Sequence, residues 1–319
     1  MPVTLAQARL NAPDKLHAAV IDEFRKNSFL LDRITFDDAA TPVGGGSTLA
    51  YSYNRIKTQP TAQTRAINTE YEPQEATEEQ FNVVLKVLGG AFSMDRVIAN
   101  MGGIKGQLQL QLEQKIKAAT ALFGDLVING DSAVDTNAFD GLDKALAGSV
   151  TDTSASSIDL STAAALDSNY KAFVDMLDEF VSQLDGTPSA LMCNTKLYNK
   201  IKAVARRMGM YQETKNDFGR QISMYGDTPI VDLGAKAGTN DPVIATDSTA
   251  KTTSLYAVRF GLDGFHAVSP TGSNVIQAYM PDFNTPGAVK KGEVELVTTV
   301  ALKATKAAAV LRDIKVASA

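Results

Sequence analysis

The residue types that most often carry catalysis are sparse in this 319-residue chain. The two histidines, His17 and His266, lie in distant segments with no sequence reason to meet, and no G-x-S-x-G nucleophile motif occurs. We therefore expect no Ser-His-Asp hydrolase site, and we interpret both histidines as partly exposed surface or interface residues. The single cysteine, Cys193, follows Leu191 and Met192, which predicts a reduced core residue. Neither a catalytic residue nor an enzymatic activity is predicted.

Ligand spacing gives no support for a metal or cofactor site. No Cys or His pattern fits zinc, and the segment 44–46 (GGG) lacks both the last glycine of a dinucleotide loop and the lysine of a phosphate loop. The acidic segment 131–141 (DSAVDTNAFDG) lacks the alternating ligands and the closing glutamate of an EF-hand. It predicts a capped turn, with loose surface binding of a cation as the alternative. We predict no metal and no cofactor.

Charge is unevenly distributed between residues 55 and 79. Cations lie on the outgoing side and glutamates on the return side: Arg55, Lys57 and Arg65, then Glu70, Glu72, Glu75, Glu78 and Glu79. One interpretation is a solvated hairpin, the safer one for charge runs in general. The other is pairing with a neighbouring subunit, where each exposed pair contributes only about 0.2–1 kcal/mol. Repeated over many equivalent contacts, such weak pairs can hold an assembly together. We predict these eight residues as inter-subunit contacts.

The elements around these charges form an unusual unit. Residues 48–57 and 81–87 alternate apolar and polar side chains, the period-2 pattern of strands. Between them, residues 58–79 contain only Ile67 and Tyr71 as large apolar residues. Ordering so long a connection costs entropy that contacts must offset. Another molecule is the expected source of those contacts, and this indicates an assembly protein.

A very long amphipathic helix is predicted directly after this unit. Ser93 is the expected N-cap, Asp95 lies in the first turn, and Asn129-Gly130 ends the helix. Such a helix would be roughly 50 Å long at 1.5 Å per residue. Its apolar stripe comprises Val97, Met101, Ile104, Leu108, Leu112, Ile116, Ala119, Phe123 and Leu126.

Three glycines near its start, Gly102, Gly103 and Gly106, predict a bend or break, because each costs about 1 kcal/mol relative to alanine inside a helix. In one interpretation they only separate two helices. In the other they form a hinge that lets the long helix bend and straighten.

The remaining chain predicts an N-terminal helix and an α/β region. Leu16, Val20, Ile21 and Phe24 recur at helical spacing. After a polar hinge at 147–159, a helix over 166–184 ends at Gly186, and Asn194 caps a second helix. A hairpin turn is predicted at Asp263-Gly264. Strands are predicted at 190–193, 229–232, 243–246, 255–260, 265–268, 293–302 and 307–316.

Bulk composition limits the functional classes. The chain is 44% hydrophobic and 21% charged, as is ordinary for a globular protein, and its formal net charge of -5 argues against a dedicated nucleic-acid binder. Neither a secretory signal nor a stretch of transmembrane length is visible. A soluble protein made in the cytosol, without a membrane partner, is expected.

Several segments, in this order and spacing, resemble tailed-phage major capsid proteins with the Hong Kong 97-type shell fold, the family that also includes encapsulins. They are NSFLLDRI (27–34), FDGL (139–142), PSALMCNTKLYNKI (188–201), YGDTPIVDLG (225–234) and KATKAAAVLRDIKV (303–316). The resemblance covers nearly the whole chain. It implies an α+β fold with an N-terminal arm (1–41), an extended β-hairpin loop (42–90), a peripheral domain with the long "spine" helix (91–148), an α/β axial domain (149–291), and C-terminal strands returning to the peripheral domain (292–319).

The resemblance implies a major capsid protein. Pentamers and hexamers of the chain would form an icosahedral shell around the double-stranded DNA of a tailed phage, with assembly in the bacterial cytoplasm. The implied partners are a portal, a decoration protein and a separate scaffolding protein. The alternative to a separate scaffolding protein is a scaffolding segment that has already been trimmed from this sequence. Weak non-specific DNA contact would involve Arg206, Arg207, Lys290 or Lys291, and the alternative, favoured for each of them, is an ordinary surface charge. An encapsulin shell is the alternative, and an oligomeric α/β enzyme is a further one.

The resemblance also raises a covalent hypothesis. Some relatives join a lysine of the extended loop to an asparagine of a neighbouring subunit, with a nearby glutamate as base. Lys57 is the only lysine between Leu49 and Lys86, so it is the candidate for such a cross-link.

Overall fold

Most of the chain from residue 29 onward is placed in the structure. The computed structural model describes residues 29–38, 49–58, 60–100, 106–156, 158–209, 213–215, 221–236, 238–239, 241–270 and 275–318. The predicted N-terminal helix around Leu16–Phe24 lies outside these residues, as do His17, Gly102 and Gly103.

Six helices and fourteen strands are found in the described residues. The helices are α1 (Phe29–Arg33), α2 (Arg96–Ala99), α3 (Gln107–Asn129), α4 (Leu142–Leu146), α5 (Ala163–Ser182) and α6 (Thr195–Met208), and a 3-10 turn spans Thr305–Ala307. The strands are β1 (Phe36–Asp37), β2 (Ala50–Thr58), β3 (Thr77–Val84), β4 (Lys86–Asp95), β5 (Asp152–Ser154), β6 (Ala190–Cys193), β7 (Glu213–Lys215), β8 (Gln221–Tyr225), β9 (Thr228–Asp232), β10 (Thr252–Val258), β11 (Phe265–Val268), β12 (Ile276–Tyr279), β13 (Val289–Leu302) and β14 (Ala308–Lys315).

A five-stranded sheet is built around the 14-residue strand β13. Strand β4 pairs with β13 from Lys86↔Thr298 to Asp95↔Val289, while β11 and β12 share its other edge. At Gly292, β13 has no room for a side chain, because a Cβ there would come within 2.4 Å of the Phe92 ring on β4. Helix α3 packs on this sheet. We call this unit the peripheral sheet.

A second, seven-stranded sheet has the order β5-β14-β10-β6-β9-β8-β7. We call it the axial sheet. Its central strands alternate between two cores: Met192 and Val310 face the core that contains Phe123 of α3, whereas Leu191 and Leu311 face the core formed by α5 and α6. The period-2 alternation of a strand thus lets one sheet serve both cores.

Local signals were good predictors of several element ends. The strand at Ala190–Cys193 is confirmed, and Asn194 caps α6 by accepting a hydrogen bond from Leu197 N at 2.9 Å. The long helix ends at Asn129 with Gly130 as C-cap, as predicted. A break between two helices is also observed, because α2 ends at Ala99 and α3 begins at Gln107 with Gly106 as N-cap.

Other predictions were wrong. Ser93 is not a helix N-cap but lies in β4 opposite Lys291, and Asp95 caps α2 by accepting a hydrogen bond from Val97 N at 2.8 Å. Helix α3 is therefore 23 residues long, about 35 Å at 1.5 Å per residue, rather than 50 Å. Val97 is exposed rather than part of a buried stripe. Residues 243–246 form no strand, and of the four only Val243 and Ile244 are buried.

The predicted domain boundaries stay a prediction, and the two sheets combine strands from different predicted domains. Strands β11 and β12, placed in the axial domain by the sequence, pair with β13 in the peripheral sheet. Strand β14, expected to return to the peripheral domain, pairs with β10 and β5 in the axial sheet. The chain therefore crosses between the two units more often than a simple linear division implies.

An ionic network ties helix α4 to the axial sheet. Arg312 on β14 donates from Nε to Asp152 Oδ1 at 2.8 Å and from Nη1 to Asp143 Oδ1 at 2.5 Å. Asp143 belongs to α4 and also accepts a hydrogen bond from the Tyr256 hydroxyl at 2.9 Å. One partly buried guanidinium thus ties α4, β5 and β14 together.

We predict that Arg312→Met lowers the free energy of unfolding by about 1–3 kcal/mol, because it leaves Asp143 and Asp152 without their charged donor. Urea unfolding of the subunit measures the loss. Lys315→Met is the matched control on the same strand, because Lys315 forms an ion pair with one carboxylate, Asp159 at 3.2 Å, whereas Arg312 forms ion pairs with two. An exposed single pair of this kind should matter less. Equal stability of the two variants would contradict the assigned role of Arg312.

Candidate subunit-contact site

The extended hairpin, residues 50–84, is a two-stranded sheet that pairs with no other strand of the described residues. Strands β2 and β3 run antiparallel from Ala50↔Val84 to Thr58↔Thr77, with a register shift at Lys57. Every residue from 60 to 80 is exposed. A two-stranded hairpin is marginally stable in water by itself. Its orientation must therefore come from its base or from another molecule.

The base of the hairpin is anchored by aromatic side chains. Tyr51 is buried with Leu85 against Val268 and Ala301 of the peripheral sheet. The Tyr51 hydroxyl donates to Asp37 Oδ2 at 2.9 Å, and the Tyr53 hydroxyl donates to the Leu302 carbonyl at 3.1 Å. Burial and the neighbouring Asp37 carboxylate both raise the pKa of Tyr51, so its hydroxyl remains a donor.

Arg55 completes this anchor through contacts within the same chain. Its Nε donates to the Lys303 carbonyl at 2.9 Å, its Nη2 donates to the Leu302 carbonyl, and its Nη1 donates to Thr305 Oγ1 at 3.2 Å. The guanidinium also lies 4.3 Å from the centroid of the Phe81 ring. The inter-subunit role of Arg55 stays a prediction, but the structure gives the side chain an intramolecular one.

The tip of the hairpin is ordered by contacts within itself. Arg65 lies 5.3 Å from the centroid of the Tyr71 ring and donates from Nη1 to the Thr69 carbonyl at 3.1 Å. Thr61 donates through its backbone N and its hydroxyl to Gln74 Oε1, at 2.8 and 2.7 Å. The tip thus has a defined shape although no apolar core supports it.

The other predicted contact residues line the exposed strands and tip. Lys57 Nζ lies 3.5 Å from Glu79 Oε2, and the Asn54 amide donates to Glu78 Oε2 at 3.3 Å. Glu70, Glu72 and Glu75 are exposed on the return side. The sequence therefore placed these side chains on one projecting element, and their contacts with a neighbour stay a prediction.

The interpretation of His266 as partly exposed was wrong. His266 is fully buried on β11, where its ring meets Tyr51 edge-on at 5.7 Å and its Nε2 lies 3.8 Å from Asp37 Oδ2. Burial lowers its pKa from 6.5 to about 4, with the Lys303 cation acting in the same direction and the Asp37 carboxylate opposing it. His266 is neutral at pH 7 and packs where the arm strand β1 meets the hairpin base.

Two further predictions concern Cys193 and the acidic loop. Cys193 is buried, and burial raises the pKa of its thiol, so the predicted reduced core residue is confirmed as an unreactive position. In the loop, Lys144 Nζ lies 2.6 Å from Asp131 Oδ1 and 2.9 Å from Asp140 Oδ1. Lys144 thus supplies the positive charge at these two carboxylates, where the alternative prediction had a bound cation.

The predicted hinge and DNA-contact residues are placed separately. Gly106 is the N-cap of α3 and its hinge role stays a prediction. Arg207 pairs with Asp167, Arg206 Nε donates to the Lys202 carbonyl at 3.3 Å, and Lys290 Nζ donates to Thr285 Oγ1 at 2.6 Å. Lys291 is exposed on β13.

No local sequence pattern marks Asp37 and His266 as parts of the hairpin base. Asp37 is 14 residues from Tyr51, and Arg55 is about 250 residues from its acceptors near Leu302 and Thr305.

In the part of the chain that is described, no cluster of three or more His, Cys, Asp or Glu side chains could hold a metal ion. No helix there combines the length and apolarity needed to cross a membrane.

We predict that His266→Phe flattens the acid side of the stability profile. The unfolded histidine takes up a proton near pH 6.5 and the folded one only near pH 4, so wild-type stability falls as pH drops through this window. Between pH 6.5 and 4.5 the difference is on the order of 2–3 kcal/mol. Denaturant unfolding of both proteins from pH 7 to 4.5 measures it, and the comparison isolates His266 because all other titrating groups are shared. Parallel profiles would contradict the prediction.

Comparison with known proteins places this geometry in a fold. No family model matches the chain. No curated protein matches it in sequence. Solved structures match over the full length: the encapsulin of the holo-SrpI complex from Synechococcus elongatus PCC 7942 has a TM-score of 0.63 and 14% identity, covering 100% of this chain and 99% of that one. The capsid of Myoviridae phage XM1 has a TM-score of 0.54 and 14% identity, covering 98% and 99%.

The capsid of a native GTA particle adds a third match, with a TM-score of 0.58, 12% identity and 98% of both chains covered. Because the identities are this low, these structural matches establish the fold alone. The sequence-based recognition and the α+β assignment are thereby confirmed. From the arm strand through the projecting hairpin and long helix to the axial sheet, this chain has the Hong Kong 97-type fold of phage capsid proteins and encapsulins.

Proposed function

We propose that this chain is a major capsid protein that self-assembles into the icosahedral shell around the double-stranded DNA of a tailed phage. The observation that carries the proposal is the extended hairpin: residues 60–80 are all exposed, yet the base is anchored and the tip is internally ordered. An ordered projection without a core is expected where a neighbouring molecule supplies the missing contacts. The full-length similarity to shell proteins supports the same conclusion.

The proposed mechanism is self-association through many weak contacts. The hairpin, with Lys57, Arg65 and the glutamates of its return side, would overlap a neighbouring subunit, and the axial domains would meet at the centres of pentamers and hexamers. Exposed charge pairs of this kind contribute about 0.2–1 kcal/mol each. Their number, rather than their individual strength, would stabilise the shell while still allowing wrongly placed subunits to leave.

The partners follow from this role. A scaffolding protein, a portal and a decoration protein would join the shell during assembly in the host bacterial cytoplasm. The DNA would be contacted weakly and without sequence preference. Lys291 is the best placed of the four predicted cations for such contact, because Arg206, Arg207 and Lys290 already have partners within the subunit.

An encapsulin-type protein compartment is the second candidate. The observation that favours it is the similarity to the Synechococcus elongatus encapsulin, with a TM-score of 0.63 over the whole of both chains. The two candidates share the shell and differ in what it encloses.

We expect the purified chain, alone or with a scaffolding protein encoded nearby, to form closed isometric particles in negative-stain micrographs. Nuclease-protected DNA and a unique tail vertex in native particles support the phage capsid. Tail-free shells that contain a protein cargo instead support the encapsulin. A chain that stays monomeric under all these conditions, at concentrations where shells normally form, would overturn both proposals.

The Lys57 cross-link gives a separate prediction. If the lysine amine of Lys57 attacks the carboxamide of an asparagine on a neighbour, an isopeptide bond forms and one ammonia leaves. Glu79, whose Oε2 lies 3.5 Å from the amine, would act as the base. Mature particles would then show a ladder on denaturing gels that Lys57→Arg abolishes. A single monomer band from mature wild-type particles would rule the cross-link out.

A further inference from the structure

A cavity of about 150 Å³ opens between helices α5 and α6 and strands β8 and β9 of the axial sheet. Its floor consists of core side chains that are at most 5% exposed: Phe173 and Leu177 of α5, Ile201 and Val204 of α6, and Ile230 of β9. Its rim includes partly exposed side chains: Tyr198, Lys202 and Met208 of α6, and Tyr225 of β8. The cavity therefore connects the core formed by α5 and α6 to the surface, and none of its described lining residues belongs to the extended hairpin.

The lining of the cavity offers little for a water molecule to bind. The hydroxyls of Tyr198 and Ser223 form a hydrogen bond of 3.2 Å, and the Tyr225 hydroxyl donates to Asp178 Oδ1. Burial and the neighbouring Asp178 carboxylate raise the pKa of Tyr225, so its hydroxyl remains a donor. Among the described side chains that line the cavity, no buried polar atom lacks a hydrogen-bond partner. An apolar cavity of about this volume stays dry and accepts a molecule of the size of benzene.

The walls of the cavity are held in position by polar contacts of α6 with its neighbours. Lys200 Nζ donates to the Ser161 carbonyl at 2.7 Å, and Arg207 pairs with Asp167 of α5. These contacts fix α6 against α5 and against the segment that precedes α5. Because the cavity is already formed in the subunit, a ligand can enter it with little rearrangement of the protein.

Helix α6 gives the mouth of the cavity a positive potential. The helix contains five cations and no aspartate or glutamate: Lys196, Lys200, Lys202, Arg206 and Arg207. Of these, Lys202 lines the cavity, where its Nζ lies 4.6 Å from the centroid of the Tyr198 ring. The carboxylates of the opposite wall, Asp175 and Asp178, lie beside Tyr225 instead. The mouth therefore favours an anion on the side of Lys202.

We propose that this cavity binds a small aromatic carboxylate, with its ring packed between Phe173 and Val204 and its carboxylate beside the Lys202 ammonium. The volume limits the apolar part of the ligand to about one ring. The apolar floor disfavours a polar group at that depth, and the cations of α6 favour a negative head group. The site does not depend on the proposed shell function, because it is complete within one subunit.

Two fluorinated probes with the same ring and opposite charge test the site. The full-length chain is titrated with para-fluorophenylacetate and, separately, with para-fluorophenethylamine, and fluorine NMR detects the binding. We expect the carboxylate to bind at a single saturable site, about tenfold more tightly than the amine, because the α6 cations attract one probe and repel the other. Absence of saturable binding of the carboxylate, or equal affinity for the two probes, would overturn the proposal.

Substitutions on α6 locate the binding. Ala205 lines the cavity, so Ala205→Leu should fill it and abolish binding of the carboxylate. Asn199→Leu is the matched control, because it adds a leucine at an exposed position of the same helix outside the cavity, and it should leave binding unchanged. Normal binding by Ala205→Leu, or an equal loss in both leucine variants, would place the site elsewhere.

Lys202→Gln tests the head group without changing the floor of the cavity, so it is informative even if Ala205→Leu impairs folding. It should keep the ring bound and remove most of the preference for the carboxylate over the amine. An unchanged preference would contradict the assigned role of Lys202.

The same titration of assembled particles distinguishes a ligand site from a contact between copies. We expect equal affinity for the carboxylate in particles and in free subunits. If a neighbouring copy filled the cavity with an apolar side chain, particles would lose the binding that free subunits show, and the ligand site would be refuted. A chain that forms no particles would refute the shell function instead, and the titration of the free subunit would still decide the ligand site.

Discussion

The whole arrangement depends on how the extended hairpin is held at its base. A two-stranded ribbon with one polar, exposed end cannot fix its own direction, because each of its outer edges leaves backbone groups to water. The fixation comes from the aromatic pair Tyr51 and Tyr53 and from Arg55, whose guanidinium binds the last carbonyls of β13 at Leu302 and Lys303. The longest strand of the peripheral sheet thus ends at the point from which the hairpin projects.

This base also gathers the arm and the core. Asp37 on β1 accepts a hydrogen bond from Tyr51 and lies 3.8 Å from His266 and 4.0 Å from Lys303. Because His266 is buried without charge at neutral pH, Asp37 is balanced by Lys303 rather than by the histidine. The arm strand, the hairpin and the sheet therefore meet at one set of polar contacts, and a change in any one of them acts on the direction of the hairpin.

Sequence patterns correctly predicted the helices and strands that are determined by nearby residues. Alternation identified β2 and β3, Asn194 identified the start of α6, and Asn129-Gly130 identified the end of α3. The failures had non-local causes. Residues 91–95 continue as a strand because β13 pairs with them, overriding a helical pattern that Ser93 was expected to start. In the segment 243–246, Val243 and Ile244 are buried, but they lie in coil rather than in a paired strand.

The sequence predicted which residues belong to the candidate site, but it did not predict the contacts among them. The eight charged residues do lie on the projecting hairpin or its tip, because their position between two alternating segments decides that. Arg55 anchors the base through partners about 250 residues away, which no local pattern reveals, whereas Arg65 shapes the tip through a carbonyl four residues away. His266 was misjudged for the same reason: its burial is created by β1 and the hairpin together.

A rigid base combined with an exposed tip has a consequence for assembly. If the base were loose, each contact at the tip would have to offset the entropy of ordering the whole hairpin, and weak contacts of about 1 kcal/mol would not suffice. Because Tyr51, Tyr53 and Arg55 order the base within the subunit, that cost is met during folding. In the proposed shell, the tip contacts can then be individually weak, as reversible growth from identical subunits requires.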